Sequence, residues 1–195
     1  MGSEKSILVI GGGISGITAA IEAAEAGYDA ILLEQNPYLG GRVSRAHQYF
    51  PKLCIPSCGL EINFRRIKNN PKIKVITQAE VKDITGKRGA YEVTVEVTPR
   101  MVNDNCTLCG KCAEVCPVER LDEFNLGMSK TKAIYLPNSM AFPAKYAIDK
   151  AVCPGTSCAK CVEVCAYKAI DLSMPAETLT FKVGGIVVAT GWKPY

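Results

Sequence analysis

The sequence predicts an α/β fold with an α+β insertion, and three observations carry that prediction. The first is an ordered opening: an apolar run at Ser6–Ile10, then Gly11-Gly12-Gly13-Ile14-Ser15-Gly16, a helix-forming stretch, and a second apolar run that ends in Glu34. The second is a period-two segment, "YEVTVEV" at 91–97, resumed by a similar segment at 178–183. The third lies between those two segments: the pattern "CGKCAEVC" ending at Cys116 and its near copy "CAKCVEVC" ending at Cys165.

Ser6–Ile10 alternates little and is bounded by glycines, as a strand buried on both faces should be. Residues 17–26 are helix formers, and Gly27 closes that helix. Asp29–Glu34 is the second strand. The order strand, G-x-G-x-x-G, helix, strand, acid is the Rossmann-like arrangement for holding a dinucleotide. Each position has a reason. Gly11 permits the tight turn, Gly13 lets the backbone approach a pyrophosphate, and Gly16 lets helix and strand pack closely. The helix N-terminus attracts the anion. Glu34 lies eighteen residues after Gly16, where a carboxylate can accept hydrogen bonds from a ribose diol.

Residues 59–70 read as an amphipathic helix and Ile73–Thr77 as a strand. Residues 81–85 form a further strand, a Gly-Lys-Arg-Gly turn follows, and 91–97 alternates as a half-exposed strand does.

The cysteines say more than the bulk composition. Eight of the ten fall into two tight clusters, and no secretory signal is read at the start. Metal ligation in a reducing compartment therefore outweighs disulfides. The first motif is Cys106-x2-Cys109-x2-Cys112-x3-Cys116-Pro117, the bacterial ferredoxin pattern, whose fourth cysteine ligates the other cluster. The second is Cys153-x4-Cys158-x2-Cys161-x3-Cys165. The two octapeptides agree at six of eight positions, which points to an internal pseudo-twofold repeat. Carried over, the ferredoxin pattern assigns Cys106, Cys109, Cys112 and Cys165 to one [4Fe–4S] cluster. It assigns Cys116, Cys153, Cys158 and Cys161 to the other. Structural zinc needs only four ligands and gives no reason for the three-residue gap before each fourth cysteine.

Two departures stand out. Ala166 follows Cys165 where a proline follows Cys116, and the second motif has a four-residue first gap. Both are expected to alter local geometry and potential without abolishing ligation. The 36 residues between Cys116 and Cys153 exceed what a minimal ferredoxin needs and read as a packing arm or a partner surface.

The formal charge of +4 does not argue for nucleic acid. Eight thiolates would add about −8 and two cluster cores about +4, which brings the loaded chain near zero. No nucleic-acid-binding motif is present. No apolar run approaches the roughly 18 residues of a membrane span.

Two cysteines stand apart. Cys54 and Cys58, in "CIPSC", lie between the Gly-Gly-Arg loop and the helix read from Gly59. Three readings stay open: ligands of an additional cluster or metal, a redox-active pair serving as catalytic residues, or inert thiols. His47 reads as a surface or supporting histidine.

Several segments resemble known flavoproteins. After five intervening residues Glu34 is followed by Gly40-Gly41-Arg42, similar to the "E-x5-GG" extension of two-dinucleotide-binding-domain flavoproteins, which bind FAD. "GIVVATG", ending at Gly191, resembles the ATG segment of the same superfamily. By that resemblance Gly11, Gly13, Gly16, Glu34, Gly41 and Arg42 contact the adenosine–pyrophosphate half of FAD. The turn at Thr190 and Gly191 closes over it. The expected organisation is a FAD-binding Rossmann-like domain of that type (residues 1–99), an inserted α+β bacterial-type 2[4Fe–4S] ferredoxin domain (100–175), and a return to the FAD-binding domain (176–195).

End to end, the chain resembles the A subunit of heterodisulfide reductase and its relatives in the quinone-interacting membrane-bound oxidoreductase complex. The matching stretches include "ILVIGGGISGITAA", "NPYLGGR", "YFPKLCIPSCGLEINFRRIKNNP", "PRMVNDNCTLCGKCAEVCP", "DEFNLGMSKTKAIYLP" and "VGGIVVATG". The "FPKLC" wording is closer to the quinone-complex branch. The resemblance implies a cytoplasmic oxidoreductase component of anaerobes, with FAD and iron–sulfur clusters, inside a multi-subunit complex. Any membrane attachment would run through partner subunits, and some members bifurcate electrons. It covers only the front of a typical member, so an incomplete isoalloxazine pocket is the expectation. Two alternatives stay open. One is a self-contained flavin-dependent disulfide or pyridine-nucleotide oxidoreductase using Cys54 and Cys58, against which no second G-x-G-x-x-G is present. The other is a truncated ferredoxin-bearing docking module without flavin.

Overall fold

A computed structural model describes residues 5–192; residues 1–4 and 193–195, the outer ends of the expected 1–99 and 176–195 segments, lie outside the described residues. The chain divides into two compact units. One is Met1–Thr98 with Ala176–Tyr195, and the other is Pro99–Pro175.

In the first unit, strand β1 (Ser6–Ile10), helix α1 (Ile14–Glu25), strand β2 (Asp29–Glu34), helix α2 (Ser57–Asn69) and strands β3 (Ile73–Thr77), β4 (Ala79–Lys87) and β5 (Ala90–Val97) follow in sequence. After the second unit the chain returns as β10 (Glu177–Val183) and β11 (Gly185–Val188). A parallel sheet has the order β11-β1-β2-β3, and an antiparallel one the order β10-β5-β4. Val97 pairs with Glu177, so the strand that leaves for the second unit and the strand that returns lie side by side.

Alternation along the parallel strands sorts their side chains to two faces. Leu8, Ile31, Leu33 and Ile76 pack with Val93, Val95, Phe181 and Val183 of the antiparallel sheet. Both faces are covered, which is why β2 reads "AILL" without alternation. Helix α1 buries Ile17, Ala20, Ile21 and Ala24, and α2 buries Leu60, Phe64 and Ile67. Arg66 of α2 reaches Glu22 and Glu25 of α1 at 3.1 and 2.8 Å. Those pairs are exposed, so the apolar stripes carry most of the helix packing.

Three boundaries differ from the sequence reading. Helix α1 starts at Ile14, because the Gly13 carbonyl already accepts from Ile17 at 2.9 Å. Strand β4 runs through Gly86 and Lys87, whose pairing with Tyr91 and Ala90 shortens the expected turn. Helix α2 starts at Ser57 after Pro56, so Cys58 lies inside its first turn rather than before it.

The second unit is built around α3 (Lys111–Glu114) and α4 (Lys160–Glu163), with small strands between them: β6 (Glu119–Leu121), β7 (Lys130–Lys132), β8 (Ile134–Tyr135) and β9 (Ala147–Ile148). The 36-residue segment thus folds as two two-stranded sheets, β6-β7 and β8-β9. The short helices repeat one local geometry. Each follows a left-handed residue, Gly110 at φ 84° or Ala159 at φ 48°. Each repeats the same turn bonds, Ala113 N–H to Gly110 O and Val162 N–H to Ala159 O, both 2.9 Å. Met101, Val102, Ile134, Ile148, Ala169 and Ile170 form the core with Cys112, and most other motif cysteines pack on it.

Candidate functional sites

The first site lies at the carboxyl ends of β1 and β2, and its glycines are required by space. A Cβ on Gly16 would lie 1.8 Å from the Gly11 carbonyl oxygen. One on Gly11, at φ +111°, would lie 2.3 Å from the Ala189 carbonyl oxygen, because β11 runs alongside β1. Gly13 differs: nothing lies within 4 Å of where its Cβ would be. That open position adjoins the start of α1, which has no side-chain cap and no acidic residue in its first turn. Uncapped amides beside a side-chain-free backbone make a fitting seat for a pyrophosphate.

Glu34 is 6% exposed and is committed to the turn. Its Oε2 accepts from the Gly12 amide at 2.7 Å. Its Oε1 accepts from the Asn36 amide at 2.8 Å and from Asn36 Nδ2 at 2.7 Å. Of about four lone-pair sites on a carboxylate, three are used, and one remains for a hydroxyl. Sequence reasoning assigns Glu34 only the outward role and misses this inward one. Asn36, two residues on, is its only local signal.

The Gly-Gly-Arg loop leans on the same turn. Gly40 N–H donates to Gly12 O at 2.8 Å, and a Cβ on Gly41 would sit 2.9 Å from Gly13 Cα. The Ser44 hydroxyl donates to Gly41 O at 2.7 Å, which holds the loop shut. Arg42 follows at once, and its guanidinium carbon lies 3.8 Å from the ring centroid of Trp192. Trp192 follows Thr190 and Gly191, and Gly191 takes φ 68°. The structure therefore places Gly11, Gly13, Gly16, Glu34, Gly41 and Thr190 at the glycine turn, with Arg42 and Gly191 next in sequence to residues that touch it.

Cys54 and Cys58 lie in the same unit, before and at the start of α2. Cys54 is half-buried and pairs through its backbone with Tyr49; Cys58 is exposed. Both are free thiols. His47 is exposed.

The second unit contains two cavities lined by cysteine. Cys106, Cys109, Cys112 and Cys165 line one. Cys116, Cys153, Cys158 and Cys161 line the other. Each set takes three cysteines from one motif and one from the other. Ile134 of β8 lines both cavities, so the segment between the motifs supplies a wall that they share. All eight thiols are free.

Electrostatics follow the same grouping. Burial pushes the Cys112 thiol up to about 11; the Ala113 amide pulls it down, and Cys106 and Cys109 push it further up. Burial also raises Cys161, with Cys153 and Cys116 adding to the effect. Desolvated thiols near one another resist ionisation unless a cationic core offsets the charge. Amides already point at two sulfurs: Ala169 N–H at Cys165 Sγ, 3.3 Å, and Gly155 N–H at Cys153 Sγ, 3.5 Å. Among the described residues no three His, Cys, Asp or Glu side chains converge on one ion. The four thiolates of a cubane each bind a separate iron and need not converge in that way. The two sets fit a cubane core on donor type and number.

Comparison with known proteins covers both regions. A family model described as FAD dependent oxidoreductase matches residues 6–108, and one described as 4Fe-4S binding domain matches residues 98–121. The chain is 41% identical to the iron-sulfur A subunit of CoB–CoM heterodisulfide reductase from Methanocaldococcus jannaschii, over 98% of this chain and 29% of that protein. It is 43% identical to a counterpart of the same description from Methanopyrus kandleri, over 98% and 29%. It is 40% identical to the A subunit of ferredoxin:CoB-CoM heterodisulfide reductase from Methanosarcina acetivorans, over 98% and 25%. The chain thus spans less than a third of the length of these relatives. Among solved structures, the thioredoxin reductase of T. acidophilum aligns at 21% identity and a TM-score of 0.39, over 47% of this chain and 31% of that one.

Proposed function

This chain belongs to the FAD dependent oxidoreductase family, and from that premise we propose that it is an electron-transfer component carrying FAD and two [4Fe–4S] clusters. The observation that carries the proposal is the exchange of cysteines between the two motifs: each cavity is ringed by four thiols, one of them lent by the other motif. A flavin accepts electron pairs and passes single electrons on, and iron–sulfur clusters carry one at a time.

The chain's own residues have the following work. The amides at the start of α1 and the bare Gly13 backbone seat the pyrophosphate. Glu34 keeps one acceptor site for the ribose and locks the turn through Gly12. Gly41 and Arg42 flank the phosphates, and Thr190–Gly191 closes the opening. Cys106, Cys109, Cys112 and Cys165 hold one cluster; Cys116, Cys153, Cys158 and Cys161 hold the other. Val102, Ile134 and Ile170 supply apolar wall to the first of these rings and would limit water around a bound core on that side.

The first unit is of the two-dinucleotide-binding flavoprotein type, and Pro99–Pro175 is a ferredoxin-like insertion in it. Such an insertion leaves the host fold intact because its two ends meet on the paired strands β5 and β10. The identities near 40% to the A subunits of heterodisulfide reductases support work in a complex of that kind or of the quinone-modifying kind. Its partners are then the other components of that complex. Among the described residues no helix is long and apolar enough to cross a membrane.

Anaerobic purification followed by iron and flavin assays tests the reading. About eight irons and one FAD per chain are expected. A folded, colourless chain that takes up neither after reconstitution with iron, sulfide and FAD overturns it.

A further inference from the structure

We propose that Trp192 is a positioning residue for the dinucleotide pyrophosphate, acting by holding the guanidinium of Arg42 beside the glycine turn. The proposal rests on the dinucleotide reading of that turn and extends it to a residue with no assigned role.

Two segments flank the turn. Gly41 presses on Gly13 from one, and Ala189 presses on Gly11 from the other. Arg42 begins where the first contact ends, and Trp192 lies three residues beyond the second. The stack between them, 3.8 Å from guanidinium carbon to ring centroid, ties both segments together next to the start of α1. A guanidinium stacks through its face and donates through its edge, so the indole fixes its orientation while leaving N–H groups for phosphate oxygens. Arg42 is exposed and its side chain is long. Unheld, it would lose much rotamer freedom on binding an anion. Stacked, it has lost part of that freedom beforehand, and affinity rises accordingly.

The test is FAD affinity, measured by ultrafiltration on the cofactor-free, iron-loaded chain. Trp192 is 67% exposed, so Trp192→Ala is expected to weaken binding about 2- to 5-fold, the range of an exposed cation–π contact. Trp192→Phe should recover most of the loss, and Arg42→Ala should weaken binding at least as much as Trp192→Ala. In the Arg42→Ala background, Trp192→Ala should leave affinity unchanged. A packing role for the indole would survive removal of Arg42 and give equal losses in both backgrounds, and that result overturns the proposal. So does an unchanged affinity in Trp192→Ala. A wild-type chain that binds no FAD overturns this proposal together with the reading beneath it, whereas FAD binding indifferent to Trp192 overturns this proposal alone. Trp192 is the one tryptophan in the sequence, so its emission gives a second readout. Quenching on FAD addition is expected in wild type.

Discussion

The backbone amide of Gly12 donates to Oε2 of Glu34 at 2.7 Å, which makes the glycine turn and the acidic end of β2 a single hydrogen-bonded unit. The bond is charge-assisted and the carboxylate is buried. Glu34→Gln keeps the shape but presents an amide to donors on one side. The variant should lose about 1.5–3 kcal/mol of stability by urea denaturation. Its FAD affinity should fall as well, because the turn loosens. An unchanged midpoint would show that the bond is not formed in solution.

The two glycines of the turn should separate folding from binding. Gly16→Ala places a methyl 1.8 Å from the backbone oxygen of Gly11, where nothing flexible can yield. Insoluble protein, or loss of the first unit's circular dichroism, is expected. Gly13→Ala meets no atom within 4 Å, and φ −74° suits any residue. That variant should fold as wild type, keep its iron, and bind FAD at least tenfold more weakly, because the methyl fills the seat. Equal behaviour of the two would contradict the geometry.

Exchanged cysteines can be mapped by alkylation. In Cys165→Ala, Cys106, Cys109 and Cys112 should become reactive to iodoacetamide, about four irons should be lost, and Cys158 and Cys161 should stay protected. Cys116→Ala should give the converse pattern. Peptide mass spectrometry reads both. Protection of Cys106, Cys109 and Cys112 in Cys165→Ala would refute the exchange. Cys54 and Cys58 line neither cavity, so the double serine variant should keep its full iron content.

The iron-free chain should show an alkaline stability limb. Cys112 is raised from an ordinary 9.0 to about 11, chiefly by burial. The folded chain therefore holds this proton more tightly than the unfolded one. Its contribution is complete below about pH 9 and is lost as pH rises through about 11. Urea midpoints of wild type and Cys112→Ala, compared from pH 8 to pH 11, should converge as pH rises. A constant gap would place the thiol in a wetter setting.

Strand and helix types are legible in the sequence because short-range rules govern them. β1, β2 and β3 begin and end where their apolar runs do, since glycines and Asn-Pro stop signals bound them. Helix starts depart from the sequence reading where the cap lies elsewhere than expected. α1 is capped by Gly13 with no side-chain bond, and α2 begins at Ser57, capped by Pro56, rather than at the glycine. The small strands β6 to β9 leave no periodic signal, because two or three residues are too few for one.

By itself the sequence determined the glycine turn, the strands around it and the doubled cysteine spacing, because stereochemistry and ligand geometry act over a few residues. The tertiary structure alone decided that Glu34 turns inward to Gly12, that Ile134 walls both cysteine cavities, and that Trp192 lies on Arg42. Those contacts join residues distant in the chain, and which of them meet depends on how the sheet and the loops pack.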